Sequence, residues 1–207
     1  MNTVEGNFML LHQNIRSFDK NYDVFSIFAQ NICRQIDVIV FTETWFREGN
    51  CSDISGYKLF HCCRGNQVGG GVSVYVRESF EVSFEQEQSI VLEMGETCVI
   101  HVRPNKQTDF ITVIGLYKPP NAFKPLFMER MSKITNLYRR SKSVIVGDFN
   151  IDLLDDVDSL DLCEVLFAGC FLPIINIPSR VSDTSAKCID HIWYNSCLLY
   201  TSDAADE

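Results

Sequence analysis

Ser143-Val144-Ile145-Val146-Gly147-Asp148-Phe149-Asn150 is the stretch on which the reading of this chain turns. Its first half is apolar and β-branched, the pattern of a buried strand. Its second half closes that strand with an acid and an amide two positions apart. Side chains alternate along a strand with period two, so Asp148 and Asn150 point the same way. A buried strand that delivers a carboxylate and a carboxamide to one rim suits an active site better than it suits packing. The ordinary alternative is that Asp and Asn end strands simply as turn formers.

Working outward, other apolar runs are interrupted in the same manner. Phe8 to Leu11 runs into His12-Gln13-Asn14-Ile15-Arg16-Ser17, and Asp37 to Thr42 ends in Glu43-Thr44-Trp45. Phe110 to Leu116 ends in Tyr117-Lys118-Pro119-Pro120-Asn121. Cys188-Ile189-Asp190-His191-Ile192-Trp193-Tyr194 holds an Asp-His pair inside an apolar run. Each has a plain reading alone: Asn14 as a turn residue, Glu43 as a helix-start acid, Tyr117 as a core edge, Asp190 as a buried hydrogen-bond partner. Together, in this order, they point to one polar site fed by several strands.

That order resembles the endonuclease/exonuclease/phosphatase superfamily and, within it, the endonuclease domain of non-LTR retrotransposons. The likeness runs from about Phe8 to Asn195. Its pieces are Asn14 to Ser17, Thr42 to Trp45, the glycine-rich Arg64 to Arg77, Tyr117 to Asn121, Gly147 to Asn150 and Ile189 to Ile192. Gly-Asp-Phe-Asn marks the superfamily, while Thr-Glu-Thr-Trp, the glycine-rich strand and Tyr-Lys-Pro-Pro-Asn favour the retrotransposon branch. The resemblance implies an α/β fold, a DNase I-like four-layer α/β sandwich of two mostly antiparallel sheets flanked by helices. It implies a metal-dependent phosphodiesterase that nicks DNA, with a reverse-transcriptase domain on the same chain in the full element. A phosphomonoesterase of the same superfamily and a non-catalytic pseudo-nuclease are the alternatives.

Phosphodiester hydrolysis must deliver water to phosphorus and stabilise charge on the phosphoryl and leaving oxygens, which a divalent metal can do. Glu43 is the oxygen ligand that Mg²⁺ (or Mn²⁺) prefers, and Asn14 can hold the same metal without adding charge. Asp148 can orient the attacking water or take its proton. Asn150 and Tyr117 can donate to a phosphoryl oxygen. These are the roles the resemblance implies at the matching positions, and Asp190 matches an Asp that supports the family's catalytic histidine. Arg16, Lys118 and Arg180 are the residues assigned to substrate phosphates, with Arg64 and Lys124 as further basic candidates near motifs.

The catalytic histidine is where the chain departs from the family pattern. The family's Ser-Asp-His strand is expected after the Ile-Asp segment, and the sequence does not reach it. His191 is the late candidate; otherwise it sits beside the strand carrying Asp190, and His12, His61 and His101 read as ordinary strand residues. Back-translated with one choice of codons, Cys197 to Glu207 resembles a transposase adapter used for sequencing libraries. The expectation is an endonuclease domain over 1–196 lacking its final strand, impaired as it stands, and a foreign tail over 197–207. A polar, acidic natural tail is the other reading.

At 207 residues, 46% hydrophobic and 22% charged, the chain can bury one sizeable core. No apolar stretch reaches the length of a membrane span, and Met1 to Asn7 lacks a signal-peptide plan. Nine cysteines, an odd number without C-x-x-C pairs, suit reduced thiols of an intracellular protein, nuclear and cytoplasmic, better than a disulfide framework or a zinc site. A net charge of −9 argues mildly against nucleic acid, although part of it lies in the Asp152 to Asp161 cluster, read as a solvated loop. Helices are expected at 21–34, with Val24, Ile27, Phe28 and Ile32 apolar, at 123–140, with Phe127, Met131, Ile134, Leu137 and Tyr138, and at 160–167. Strands are expected at 57–60, 70–76, 80–84, 97–102 and 110–116. Gly69-Gly70-Gly71 is read as a bulge or tight turn rather than a phosphate cradle, since a strand and not a helix follows.

Overall fold

The computed structural model describes residues 8–32, 35–65, 69–106 and 108–195. The tail reading for 197–207 therefore lies outside the described residues. In chain order the elements are β1 (Leu10–Asn14), α1 (Phe18–Gln30), β2 (Val38–Thr42), β3 (Tyr57–Cys62), β4 (Val72–Arg77), β5 (Glu81–Phe84), β6 (Val91–Leu92), β7 (Gly95–Arg103) and β8 (Ile111–Tyr117). They continue with α2 (Lys124–Tyr138), β9 (Ser143–Asp148), α3 (Asp156–Ala168), β10 (Leu172–Pro173), β11 (Arg180–Ser182), β12 (Ser185–Lys187) and β13 (Asp190–Asn195).

A four-stranded sheet has the order β1-β2-β4-β3, and a seven-stranded sheet has the order β10-β13-β9-β8-β7-β5, with β6 beside β7. Most pairings are antiparallel. Two are parallel, β1 with β2 and β8 with β9. A parallel pair needs a long crossover, and α1 and α2 supply the two. The consequence for the site is direct: the ends of β1 and β2 share one rim, as do the ends of β8 and β9.

Three apolar clusters hold the layers together. Val38, Val40, Val72, Val74 and Val76 meet Cys98, Ile100, Val113 and Val146 between the two sheets. Behind the larger sheet, Ile114, Leu116 and Ile145 pack on Phe127, Met131 and Ile134 of α2 and Leu162 and Leu166 of α3. Behind the smaller sheet, Ile39, Phe41 and Tyr75 pack on Phe18 and Phe25 of α1. Each fully buried Val, Leu, Ile or Phe contributes roughly 1.5–3 kcal/mol. Among the described residues, no helix is long and apolar enough to cross a membrane.

Three expectations need correction. A third sheet exists, the two-stranded hairpin of β11 and β12. Its short, fully exposed strands carry no apolar alternation to announce them. The apolar face of α1 is also different: Val24, Ile27 and Phe28 are 70%, 63% and 55% exposed. The helix begins earlier than the 21–34 reading, and its buried stripe is Phe18, Tyr22, Phe25 and Ala29, at helical spacing. The aromatic contacts Phe18–Phe41 and Phe25–Phe41, at 5.6 and 4.8 Å, outbid the aliphatic stripe. On α2, Phe127, Met131, Ile134 and Tyr138 are buried as expected, but Leu137 is 55% exposed.

Candidate active site

One rung of the larger sheet builds half of the site. Asp190 on β13 lies opposite Asp148 on β9, and Asp148 lies beside Tyr117 on β8. Glu96 on β7 extends the rung past Tyr117. Partners on a rung share a face of the sheet, so four polar side chains project together. The smaller sheet supplies the other half. Asn14 ends β1 next to Thr42, and Glu43 follows Thr42 directly.

Asn14 joins the halves. Its Nδ2 donates to Glu43 Oε1 at 3.0 Å and to Asp148 Oδ2 at 2.7 Å. Residues 134 positions apart thus meet through one amide. Asn150 closes the turn after β9: its backbone N–H donates to Asp148 Oδ1 at 3.0 Å, and its Nδ2 donates to the Lys118 carbonyl at 2.9 Å. Gly147 is required there because a Cβ would overlap the Leu116 carbonyl oxygen.

The loops that carry these groups are bent. Six described non-glycine residues have positive φ, and five belong to the site motifs: Arg16 (46°), Ser17 (84°), Glu43 (52°), Trp45 (59°) and Asn150 (46°). Each such residue costs about 1–3 kcal/mol unless its surroundings fix it. Backbone bonds do so here, from Ser17 N–H to the Glu43 carbonyl and from Phe18 N–H to the Thr44 carbonyl, at 2.9 and 3.0 Å. Asn21 of α1 adds its Nδ2 to the Ile15 and Arg16 carbonyls, both at 2.8 Å.

Burial sets the electrostatics. Asp148 is 2% exposed. Burial first, then the neighbouring Asp190 charge, pushes its carboxyl up to about 7, against the pull of Asn14 and the Asn150 N–H. Burial, followed by the charges of Glu43 and Asp148, raises the Tyr117 hydroxyl, which therefore stays protonated and able to donate. Burial lowers His12 to about 4, although Asp190 pulls the other way. His12 is therefore neutral near pH 7.

An open cleft of about 690 Å³ lies over this arrangement, lined by Asn14, Arg16, Glu43, Asp148, Asn150, Arg180 and Asp190 among others. Arg16 and Arg180 are exposed on its walls. The other basic candidates are engaged elsewhere. Lys118 is 4% exposed; its Nζ donates to the Pro119 carbonyl at 3.2 Å and lies 5.9 Å from the Phe127 ring centre. Lys124 reaches Asp158 and Asp161 of α3 at 3.6 and 3.5 Å. Arg64 bonds Glu96.

His191 is 1% exposed and stacked 4.5 Å from Phe149. Its Nε2 lies 2.9 Å from the Cys188 carbonyl and 3.0 Å from the Ile151 carbonyl. Carbonyls only accept, so Nε2 carries the proton and is occupied. The acidic cluster is not a plain solvated loop: Asp155 caps α3 through the N–H groups of Val157 and Asp158. Asp152 accepts from Cys188 N–H at 3.0 Å, tying that loop to the approach of β13.

Two residues of the candidate site escaped the sequence reading. His12 Nδ1 stands 3.6 Å from Asp190 Oδ1. The signal was its position two residues before Asn14, which puts both on one side of β1. Glu96 joins the rung only through the antiparallel register of β7 and β8, which the sequence alone does not state.

Among the described residues, no three His, Cys, Asp or Glu side chains cluster closely enough to hold a metal by themselves. The donor set fits a hard cation that keeps water and substrate oxygens in its shell, which needs only one or two protein oxygens. Glu43 offers a carboxylate, and Asn14 Oδ1 is a buried oxygen with no hydrogen-bond partner.

Residues 11–205 match the model of the Endonuclease/Exonuclease/phosphatase family, and the chain belongs to that family. No curated protein matches it. Among solved structures, the chain is similar to the endonuclease domain of TRAS1, a telomere-specific non-LTR retrotransposon. That match has 14% identity and a TM-score of 0.71, over 92% of this chain and 86% of that one. It is also similar to the AP endonuclease LMAP from Leishmania major, with 11% identity and a TM-score of 0.66, over 91% and 78%. A third is the 3'-5' exonuclease NExo from Neisseria meningitidis, with 14% identity and a TM-score of 0.63, over 90% and 86%. At these identities the likeness is one of fold.

Proposed function

We propose that the chain is a metal-dependent phosphodiesterase of the DNase I-like sandwich type, the DNA-nicking endonuclease domain of a non-LTR retrotransposon. The observation that carries the reading is the Asn14 bridge between Glu43 and Asp148, set over the Tyr117–Asp148–Asp190 rung. Glu43 and Asn14 would hold Mg²⁺ or Mn²⁺, which supplies charge neutralisation at the phosphoryl group. Asp148 orients the attacking water and accepts its proton, with a carboxyl already poised near neutrality in the metal-free chain. Asn150 has an Nδ2 hydrogen beyond the one given to Lys118, and Tyr117 has its hydroxyl; both donate to a phosphoryl oxygen. Asp190 buttresses Asp148 and His12 rather than attacking. Arg16 and Arg180 meet the DNA backbone. Lys118 supports the Tyr117–Asn150 turn from within the fold. In this reading the partner on the same chain is a reverse-transcriptase domain, and the protein works in the nucleus and cytoplasm.

The test is conversion of supercoiled plasmid to open circles by the chain, alone and extended by the genomic sequence that follows Asn195. With Mg²⁺ or Mn²⁺ the extended protein should nick, and a chelator should stop it. Asp148→Ala should slow nicking by at least about two orders of magnitude, as loss of a general base does. Cleavage that survives chelation would refute the mechanism. Phosphate release from an inositol phosphate without nicking would replace the reading with a phosphomonoesterase.

A further inference from the structure

Glu96 stands on the same rung as Tyr117, Asp148 and Asp190, yet nothing in the proposed chemistry uses it. It is 0% exposed. Its two oxygens are claimed by two different segments. Oε1 accepts from Arg64 Nε, and Oε2 accepts from the backbone N–H of Gly71 at 2.5 Å. The Arg64 guanidinium lies 5.8 Å from the centre of the Tyr117 ring.

The glycine segment above the pair carries the Glu43 loop. The Gly70 carbonyl accepts from Trp45 N–H at 3.0 Å, and the Gly71 carbonyl accepts from Thr44 N–H at 3.4 Å. The fit leaves no room for side chains. A Cβ on Gly70 would overlap Glu96 Oε1 and stand 2.5 Å from Arg64 Nε, and one on Gly71 would stand 2.5 Å from Thr44 Oγ1. Both glycines have positive φ, +70° and +92°. The glycine run is therefore neither a phosphate cradle nor a bare turn. It is the layer between the Arg64–Glu96 ion pair and the loop that holds Glu43.

We infer that Glu96 and Arg64 are positioning residues that set the Glu43 loop from beneath and the Tyr117 ring from the side, and so fix the geometry in which the site takes a divalent cation. The inference rests on the cation-holding reading of Glu43 given above. An ion pair with a fully buried carboxylate is a poor device for stability alone, because desolvation offsets its attraction and an apolar pair packs as well. What the pair adds is direction. A planar guanidinium and a two-pronged carboxylate tie Arg64, Gly71 and the Tyr117 rung into one arrangement. Such outer partners typically change metal affinity 10–100-fold when removed.

The experiment measures Mn²⁺ affinity of the whole 207-residue chain by isothermal titration calorimetry, with circular dichroism and melting temperature as checks on the fold. Glu43→Gln gives the reference loss. Glu96→Gln and Gly70→Ala should each weaken Mn²⁺ by at least about tenfold while the fold persists. Arg64→Ala should do the same, and Arg64→Lys should recover part of the loss, since it restores the charge without the planar fork. If Glu96→Gln fails to fold, the two Arg64 variants decide, because that side chain is partly exposed. Folded Glu96→Gln and Arg64→Ala proteins with wild-type Mn²⁺ affinity would overturn the inference, and so would a wild type that binds no Mn²⁺. Plasmid nicking is scored separately, on the extended protein of the plasmid test above. Mn²⁺ binding that depends on Glu43 and Glu96 without nicking sinks the nuclease reading alone, and nicking with unchanged Mn²⁺ affinity in the variants sinks the positioning role alone.

Discussion

Asp148 works against the fold that carries it. Its carboxyl is raised from an ordinary 3.8 to about 7, with burial as the largest cause and Asp190 the next. The folded state therefore binds the proton more tightly than the unfolded state. The stabilising contribution is complete below pH 3.8 and is lost as pH rises through about 7. The gap corresponds to a loss on the order of 4 kcal/mol. Asp148→Asn removes the titration and keeps the shape, and the unpartnered Asn14 Oδ1 can accept the new amide after a flip. In chelator, the variant and the wild type should have similar melting temperatures near pH 4, and the variant should melt several degrees higher at pH 8. A difference that does not change with pH would refute the assignment. At this scale much of the candidate site was legible. Asn14, Glu43, Tyr117, Asp148, Asn150 and Asp190 end or interrupt apolar strands, and that pattern brings them together. Glu96 and His12 were not legible as site residues, because their partners are set by register and by sheet packing rather than by local sequence.

The elements matter through the two parallel pairs. They place four strand ends at one rim, and Gly115 in β8 lets the sheets close on each other behind that rim. A Cβ there would sit 2.9 Å from Val72 Cγ1, 3.1 Å from Val40 Cγ1 and 3.3 Å from Val74 Cγ2. Gly115→Ala should therefore cost about 1–3 kcal/mol by overpacking, read as a lowered denaturation midpoint with an unchanged slope. An unchanged midpoint would mean that the sheets can separate without loss. The core strands were legible as short, β-branched apolar runs bounded by turn residues, and α2 by the spacing of Phe127, Met131, Ile134 and Tyr138, although Leu137 lies off its buried face. The face of α1 was not. Val24, Ile27 and Phe28 mimic a buried stripe at helical spacing, and only the aromatic wall of Phe41 and Tyr75 selects Phe18 and Phe25 instead. The hairpin of β11 and β12 was invisible for a different reason: exposed strands have no reason to alternate.

The whole molecule carries a net charge of −9, which the proposed DNA binding must overcome locally. Composition showed the deficit, and the structure shows which of the basic candidates are engaged elsewhere in the fold. Lys118 is buried, Lys124 serves α3, and Arg64 serves Glu96. Arg16 and Arg180 remain on the cleft, with Lys187 opposite Arg180 on the exposed hairpin. Two or three cations release few counterions, so the salt dependence of DNA binding should be shallow. Each neutralised phosphate contributes about −0.9 to the slope of log affinity against log salt. The expected slope is about −2 to −3, measured by fluorescence anisotropy on a short duplex in chelator. Arg16→Ala and Arg180→Ala should each reduce its magnitude by about one, and the pair together by about two. A slope steeper than about −6 would place the DNA on a surface other than this cleft, and a slope untouched by both variants would remove the two arginines from the interface.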